Sequence, residues 1–521
     1  MEGRRSRSSR PCGIWLALSG GGLRAALFHY GALKRLYELD LLEDVTVISA
    51  TSGGALIAAL VGLHGPLANG DAKRWEKFEN AFLAAATEGL LGPTMWSLAA
   101  WIFLVLSTTA GLTNLALAAW LDSSPTLTRT FWISLAACAA SALVTAVWMR
   151  YATTRLGRST RSEEKRRFVP NFNVIGELYE GISDRLVQGV NALLLQFDPS
   201  YVRWHFLNQL LFSDAVMGDM KLGPKIFICA ADLNSGRELV FSEKFMGELS
   251  ASGSPRLWRQ YKVEVASGER PFTTLLGEDI PAATAVAASS ALPPFFTAVP
   301  IFADGRLVAN CIDGGLIDNH ALTITRQMAK YADEQHADAL GRTFANSVGH
   351  VLALDASPPV KSHERFFWLR TSTFLRLGDV LHNRQVQGVL EDLDDIQRLF
   401  KVSARAVGLR FAPDDSCVFK NPEIARLAAQ IRTHFDRFSP TECATLAYLG
   451  YYWADRWIAT EYSDRKDSLA AVPMREVRNI LPARFSPLPS ELTESKILAH
   501  LRYSHIRLGV WRRICRVVAA A

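Results

Sequence analysis

No Cys-x-x-Cys pair occurs in this 521-residue chain, and its seven cysteines (Cys12, Cys138, Cys229, Cys311, Cys417, Cys443 and Cys515) are scattered and odd in number. That argues against a disulfide framework or a structural zinc site and fits a reducing compartment. No Lys-Ser/Thr pair follows the glycine turn at residues 20–22, so a Walker A loop is absent, and so is a proper dinucleotide fingerprint. A broad basic face is missing too. The net charge is +6. Residues 1–10 carry +3 and residues 150–167 carry +5, leaving about −2 for the rest. Two local basic patches do not make a nucleic-acid binder, and no nucleic-acid partner is expected. There is no internal repeat and no low-complexity linker. The apolar run behind the N-terminal arginines is only Gly13–Leu18, too short for a signal peptide, so residues 1–12 read as a disordered basic tail.

What the chain has in quantity is apolar sequence. Hydrophobic residues make up 49% and charged residues 21%, enough for a large core. No charge occurs from Gly89 to Leu121, and a second uncharged run, Thr130 to Met149, is closed by Arg129 and Arg150. About 20 apolar residues cross a bilayer as a helix. Trp96, Trp101, Trp120, Trp132 and Trp148 lie near the ends of these runs, as in aromatic belts. The expectation is a two-helix transmembrane hairpin rather than a buried soluble one. The basic cluster Arg150, Arg155, Arg158, Arg161, Lys165, Arg166 and Arg167 would keep its flank, and the remaining chain, cytoplasmic.

Elsewhere the pattern alternates. Residues 13–19 and 45–50 are short continuous apolar runs, as in buried strands, and each leads through glycines into a helical pattern, 23–39 and 55–63. Strand, turn, helix, repeated, predicts an α/β fold with a parallel sheet. Further strands are expected at 225–231, 307–312 and 350–355, with amphipathic helices near 172–217 and a small-residue helix at 282–290. Beyond about residue 365 the chain reads as largely helical, with a capping box at Ser439, Pro440 and Glu442.

Three motifs carry chemistry. Ser52 in Ala50-Thr51-Ser52-Gly53-Gly54 sits between a strand and a helix, the context of a nucleophile elbow, with Ala50 in place of the usual first glycine. A serine there is also an ordinary helix N-cap. The turn Gly20-Gly21-Gly22, followed by Leu23 and Arg24, exposes backbone N–H groups that can hold an oxyanion or a phosphate. Arg24 is placed either to face an anionic head group or to pair with a local carboxylate. Asp313-Gly314-Gly315 ends a buried strand, where active sites of parallel sheets collect, although a plain turn aspartate would look the same. His320 follows Asp313 by seven residues and leaves a Ser–acid–His order open, while His29 reads as a packing residue.

Together, Ser19-Gly20-Gly21-Gly22-Leu23-Arg24, the Ser52 elbow, Ala231-Asp232-Leu233-Asn234-Ser235-Gly236 and Ala288-Ser289-Ser290-Ala291-Leu292-Pro293 before Asp313-Gly314-Gly315 resemble the patatin-like phospholipase family. The resemblance covers roughly 13–63 and 220–355. It implies a three-layer α/β/α fold with a mainly parallel sheet and a Ser52–Asp313 dyad without histidine. It also implies an oxyanion hole from Gly20, Gly21 and Gly22, site support or head-group contact from Arg24, Gly53 and Gly314, and neither metal nor cofactor. Expected partners are a membrane phospholipid or lysophospholipid substrate and the lipid bilayer. The expected location is the bacterial inner membrane, as a multi-pass protein with its catalytic domain cytoplasmic. The implied division is a tail (1–12), a catalytic domain in two parts (13–88 and 169–365), the hairpin with its flank (89–168) and a helical C-terminal region (366–521). The expected activity is serine-dependent lipid ester hydrolysis through an acyl-enzyme. The alternative is a catalytically silent lipid-binding or scaffold protein.

Overall fold

The computed structural model describes residues 13–65, 71–88, 198–221, 223–243, 246–249, 258–259, 280–293, 295–303, 306–333, 347–359, 370–433, 436–463, 472–485 and 493–505, with a few single residues between 109 and 139. Its strands are β1 (Gly13–Leu18), β2 (Val45–Thr51), β3 (Lys225–Asp232), β4 (Glu238–Phe241), β5 (Met246–Leu249), β6 (Trp258–Arg259), β7 (Val299–Ala303), β8 (Arg306–Asp313), β9 (Val348–Asp355) and β10 (Ser403–Gly408). The helices are α1 (Gly22–Glu38), α2 (Gly53–His64), α3 (Ala72–Glu88), α4 (Pro199–Leu207), α5 (Ala282–Ser289), α6 (Thr323–Asp333), α7 (Arg370–Phe400), α8 (Pro422–Ala429), α9 (Pro440–Glu461) and α10 (Glu494–Leu501).

The apolar runs became the centre of one sheet, in the order β10-β9-β1-β2-β3-β4-β5-β6, with β8 on β3 and β7 on β8. A strand apolar at every position can be buried on both faces, and β1 is: Ile14, Leu16 and Leu18 enter one core cluster, Trp15 and Ala17 the other. Helices α1, α2, α5 and α9 cover the first face. The second face takes α6 and α7, whose Val389, Leu393 and Ile396 recur at helical spacing. This is a three-layer α/β/α arrangement. The sheet is mixed rather than mainly parallel: β10, β9, β1, β2 and β3 are parallel, while β4 to β8 pair antiparallel. The antiparallel half arises because β3 is followed by a tight turn at Asp232–Gly236 instead of a crossover helix. Asp232 holds that turn through the N–H groups of Asn234 and Ser235, and reaches the N–H of Asn310 on β8 at 2.8 Å.

The C-terminal stretch contributes β10 to the sheet edge and α9 to the first layer. Helix α9 begins at the expected capping box, with Ser439 N–H donating to Glu442 at 2.8 Å and Glu442 N–H donating to Ser439 Oγ at 3.3 Å. It crosses α1 at bare backbone. A Cβ on Gly450 would lie 1.8 Å from the carbonyl oxygen of Phe28, and one on Gly31 would lie 1.8 Å from that of Ala447.

The expectation of a multi-pass membrane protein is corrected. Among the described residues no helix is long and apolar enough to cross a membrane. The longest, α7, carries charge along its length, and α9 is engaged against α1. The runs 89–121 and 130–149, and the amphipathic stretch up to 197, lie almost wholly outside the described residues.

Candidate active site

Two strands meet head-on along one edge of β3, and this encounter creates the site. β2 runs parallel to β3 as far as Thr51, which pairs with Cys229. The chain then turns away at Ser52. β8 arrives from the opposite direction along the edge that β2 vacates, and its last residue, Asp313, pairs with Ala230. Thr51 and Asp313 thus face consecutive residues of β3, and Ser52 is brought onto Asp313. Asp313 ends a strand, as expected, but an antiparallel one rather than one of a parallel set.

Ser52 sits at φ 52°, ψ −114°, in backbone space that a residue with a Cβ rarely enters. Surroundings over-determine that conformation. Its N–H donates to Ser289 Oγ at 2.8 Å, and Ser289 Oγ donates to the carbonyl of Cys229 at 2.6 Å. Ser52 precedes α2, yet its side chain makes no capping hydrogen bond to that helix. Instead Ser52 Oγ donates to Asp313 Oδ2 at 3.0 Å. The N-cap reading therefore fails. Ala50, in place of the elbow glycine, has its methyl group fully buried in the first core cluster, so the turn accommodates it.

Asp313 both caps a turn and faces the serine. Its Oδ1 accepts the N–H of Gly315 at 2.8 Å, and its own N–H donates to the carbonyl of Ala291 at 3.0 Å. Burial pushes the carboxyl up from 3.8 to about 6, against the lowering effects of the Gly315 N–H, the Ser52 hydroxyl and the Arg203 cation. A carboxylate tuned to that range can take a proton near neutral pH. Gly314 lets β3 come close, since a Cβ there would lie 2.3 Å from the carbonyl oxygen of Cys229.

The glycine turn touches the elbow. A Cβ on Gly53 would sit 2.0 Å from the carbonyl oxygen of Gly22, and one on Gly20 would sit 3.3 Å from Ser52 Cβ. The three expected donors separate here. Gly20 N–H donates to the carbonyl of Asn319 at 2.8 Å. The N–H groups of Gly21 and Gly22 have no acceptor among the described residues, as at any helix start. Both glycines have positive φ, 135° and 58°. Among the described residues Arg24 pairs with no carboxylate. It is buried, and its Nη1 donates to the carbonyls of Ala429 (2.9 Å) and Ile431 (3.0 Å). Burial lowers it to about 10, opposed by the field of Asp355, so it stays a cation at neutral pH. The segment it holds reaches the turn: a Cβ on Gly22 would lie 1.5 Å from the carbonyl oxygen of Thr433. The C-terminal region is thus a wall of the glycine turn.

His320 is turned away from the dyad. Its Nε2 lies 3.2 Å from Asp355 Oδ1 and 3.5 Å from Ser357 Oγ. His29 is a packing residue whose Nε2 contacts the carbonyl oxygen of Ser19 at 3.0 Å, with burial lowering it to about 4. Sequence reasoning missed the role of Ser289, although it lies within the quoted Ala288–Pro293 motif. It also missed Arg203, for which no sequence signal existed.

Residues 16–218 match the family model described as patatin-like phospholipase. A patatin-like phospholipase domain-containing protein of Pyricularia oryzae is 48% identical over 64 residues, covering 12% of this chain and 8% of that protein. Triacylglycerol lipase 4 of Saccharomyces cerevisiae is 51% identical over 49 residues, covering 9% of this chain and 5% of that one. The match therefore spans a small part of those relatives' length. A solved structure of human GIVD cytosolic phospholipase A2 with methyl gamma-linolenyl fluorophosphonate aligns over 90% of this chain and 61% of that one, at 13% identity and a TM-score of 0.37. These curated relatives are fungal, which corrects the expected bacterial inner-membrane location.

Proposed function

We propose that this chain, which carries a patatin-like phospholipase domain over residues 16–218, is a serine lipid acyl hydrolase that cleaves carboxylic esters of phospholipids or lysophospholipids. The observation that carries the reading is the 3.0 Å hydrogen bond from Ser52 Oγ to Asp313 Oδ2, made by a serine on a strained elbow that leaves its helix uncapped.

In this reading Ser52 Oγ attacks the ester carbonyl carbon and its proton passes to Asp313 Oδ2. The carbonyl oxygen becomes an oxyanion and accepts the N–H groups of Gly21 and Gly22, at the positive end of α1. Gly20 is a frame residue, since its N–H is already engaged. The tetrahedral adduct collapses, the C–O bond to the alcohol breaks, and the alcohol leaves with the proton held on Asp313. Water then attacks the acyl-Ser52 ester, giving its proton to Asp313. The second adduct expels Ser52, which recovers that proton, and the fatty acid is released. Arg24 and Gly53 support the turn from behind, and the lipid of a bilayer surface is the substrate source.

The test is fatty-acid release from phosphatidylcholine and lysophosphatidylcholine by the purified full chain, beside folded Ser52→Ala and Asp313→Asn. Hydrolysis lost in both variants upholds the reading. A wild type without hydrolysis, or a Ser52→Ala variant as active as wild type, would leave lipid binding by a silent member of the fold as the better account.

A further inference from the structure

Arg203 is a buried cation with no use in the chemistry above. It lies on α4 with 1% exposure, and among the described residues no carboxylate lies within ion-pair distance of it. Removing a guanidinium from water without a paired carboxylate is costly, and folds keep such groups where the charge or its hydrogen bonds matter. Its Nη2 donates to the carbonyl of Ala287 at 2.6 Å, its Nη1 donates to the carbonyl of Ser290, and its Cζ stands 3.9 Å from the ring centroid of Phe296. Those carbonyls are at the C-terminal end of α5, the negative end of the helix dipole.

That same turn of chain holds both reacting residues. Ser289, between the two clamped carbonyls, accepts the N–H of Ser52, and Ala291, just beyond them, accepts the N–H of Asp313. We infer that Arg203 is the positioning residue of the site: it locks the end of α5, through it the backbones of Ser52 and Asp313, and supplies the positive field that Asp313 faces. The inference rests on the hydrolase reading above.

The surrounding charges leave that field to Arg203. Asp313 is faced by Arg203 and the Ser52 hydroxyl, and Arg203 by Asp313 and by Asp198 at the start of α4. On β3, Asp232 is engaged by backbone N–H groups and Cys229 faces Glu238 and Asp318. On β8, Cys311 faces Asp232, and across the glycine turn Arg24 faces Asp355. Helix α5 carries no ionisable side chain.

The experiment is the pH profile of kcat on a soluble short-chain p-nitrophenyl ester for wild type, Arg203→Met and Arg203→Lys, with Ser52→Ala as control. Arg203→Met removes the field and the clamp, so the acid limb is expected to move to higher pH. Its kcat should fall roughly tenfold to a hundredfold at the plateau, with KM little changed. Arg203→Lys keeps the charge but not the fork across two carbonyls. Its limb should stay within about 0.3 pH units of wild type while kcat falls about tenfold. If Arg203→Met does not fold, the lysine variant decides alone, and wild-type kcat in it overturns the inference. So does an Arg203→Met limb at the wild-type pH, because a purely structural residue would lower kcat without moving it. A wild type with no Ser52-dependent turnover sinks the hydrolase reading itself. Ser52-dependent turnover with unaltered Arg203 variants sinks only this one.

Discussion

Replacing Asp313 by asparagine should abolish hydrolysis and, at the same time, make the protein less sensitive to rising pH. Asparagine has nearly the same shape. Its oxygen can keep the N–H of Gly315, and its amide can meet Ser52 Oγ, so the geometry survives while the base is lost. The magnitude follows from the burial of the carboxyl, which lifts it from 3.8 to about 6. A carboxyl raised in the folded state takes up a proton on folding. Its contribution to stability is full below the unfolded value and is lost as pH rises through the folded one. A shift of about 2 units corresponds to about 3 kcal/mol over the whole range, of which about 1.4 kcal/mol is lost between pH 5 and pH 8. Asparagine does not titrate. The stability of Asp313→Asn minus that of wild type should therefore rise by about 1.4 kcal/mol from pH 5 to pH 8. Urea unfolding at the two pH values measures this. The wild-type kcat/KM should rise with pH on an acid limb centred near 6, the folded value. Parallel stability curves for the two proteins would refute the claim that burial tunes this carboxylate. A rate limb near pH 4, where an ordinary aspartate titrates, would refute that tuning as well.

Three other substitutions test the frame. Ser289→Ala removes the acceptor for the Ser52 N–H and the donor to the Cys229 carbonyl, so kcat should fall roughly tenfold or more and stability by about 1–3 kcal/mol, read from kinetics and a urea titration of the same variant. Gly450→Ala places a methyl 1.8 Å from the carbonyl oxygen of Phe28. It should force α9 off α1 and cost about 1–3 kcal/mol or more, seen as a lower midpoint in thermal unfolding. Arg24→Met frees the carbonyls of Ala429 and Ile431, and should destabilise by about 2 kcal/mol or more and expose the 429–433 segment to faster hydrogen exchange. An Arg24→Met variant with wild-type exchange there and reduced head-group selectivity would instead favour direct lipid contact.

Much of the first layer was legible in the sequence because its determinants are local. The short apolar runs at 13–19 and 45–50 fit strands buried on both faces, and β1 and β2 form there. Consecutive glycines end them because α1 and α2 start where backbones touch, Gly53 against Gly22. Ser439, Pro440 and Glu442 specify a helix start through bonds within four residues. Ser52 and Asp313 stand in local contexts, a small-residue elbow and an Asp-Gly-Gly strand end, that fit a helix N-cap and a turn aspartate equally well, so neither motif alone reveals that the two side chains meet. What the chain alone did not reveal depends on pairing across distance. That β8 runs antiparallel into the gap beyond β2, bringing Asp313 to Ser52, is decided by which edge of β3 is free. That Gly20 N–H is engaged, while those of Gly21 and Gly22 have no acceptor among the described residues, depends on Asn319, about 300 residues away. That Arg24 serves the C-terminal wall, and Arg203 the end of α5, follows from burial, which turns an ordinary surface cation into a fixed donor and field. Sequence by itself determined the chemistry available and the local shapes that present it. Only the tertiary structure decided which groups meet, because hydrogen-bond partners and desolvation are properties of neighbours that the chain brings together from afar.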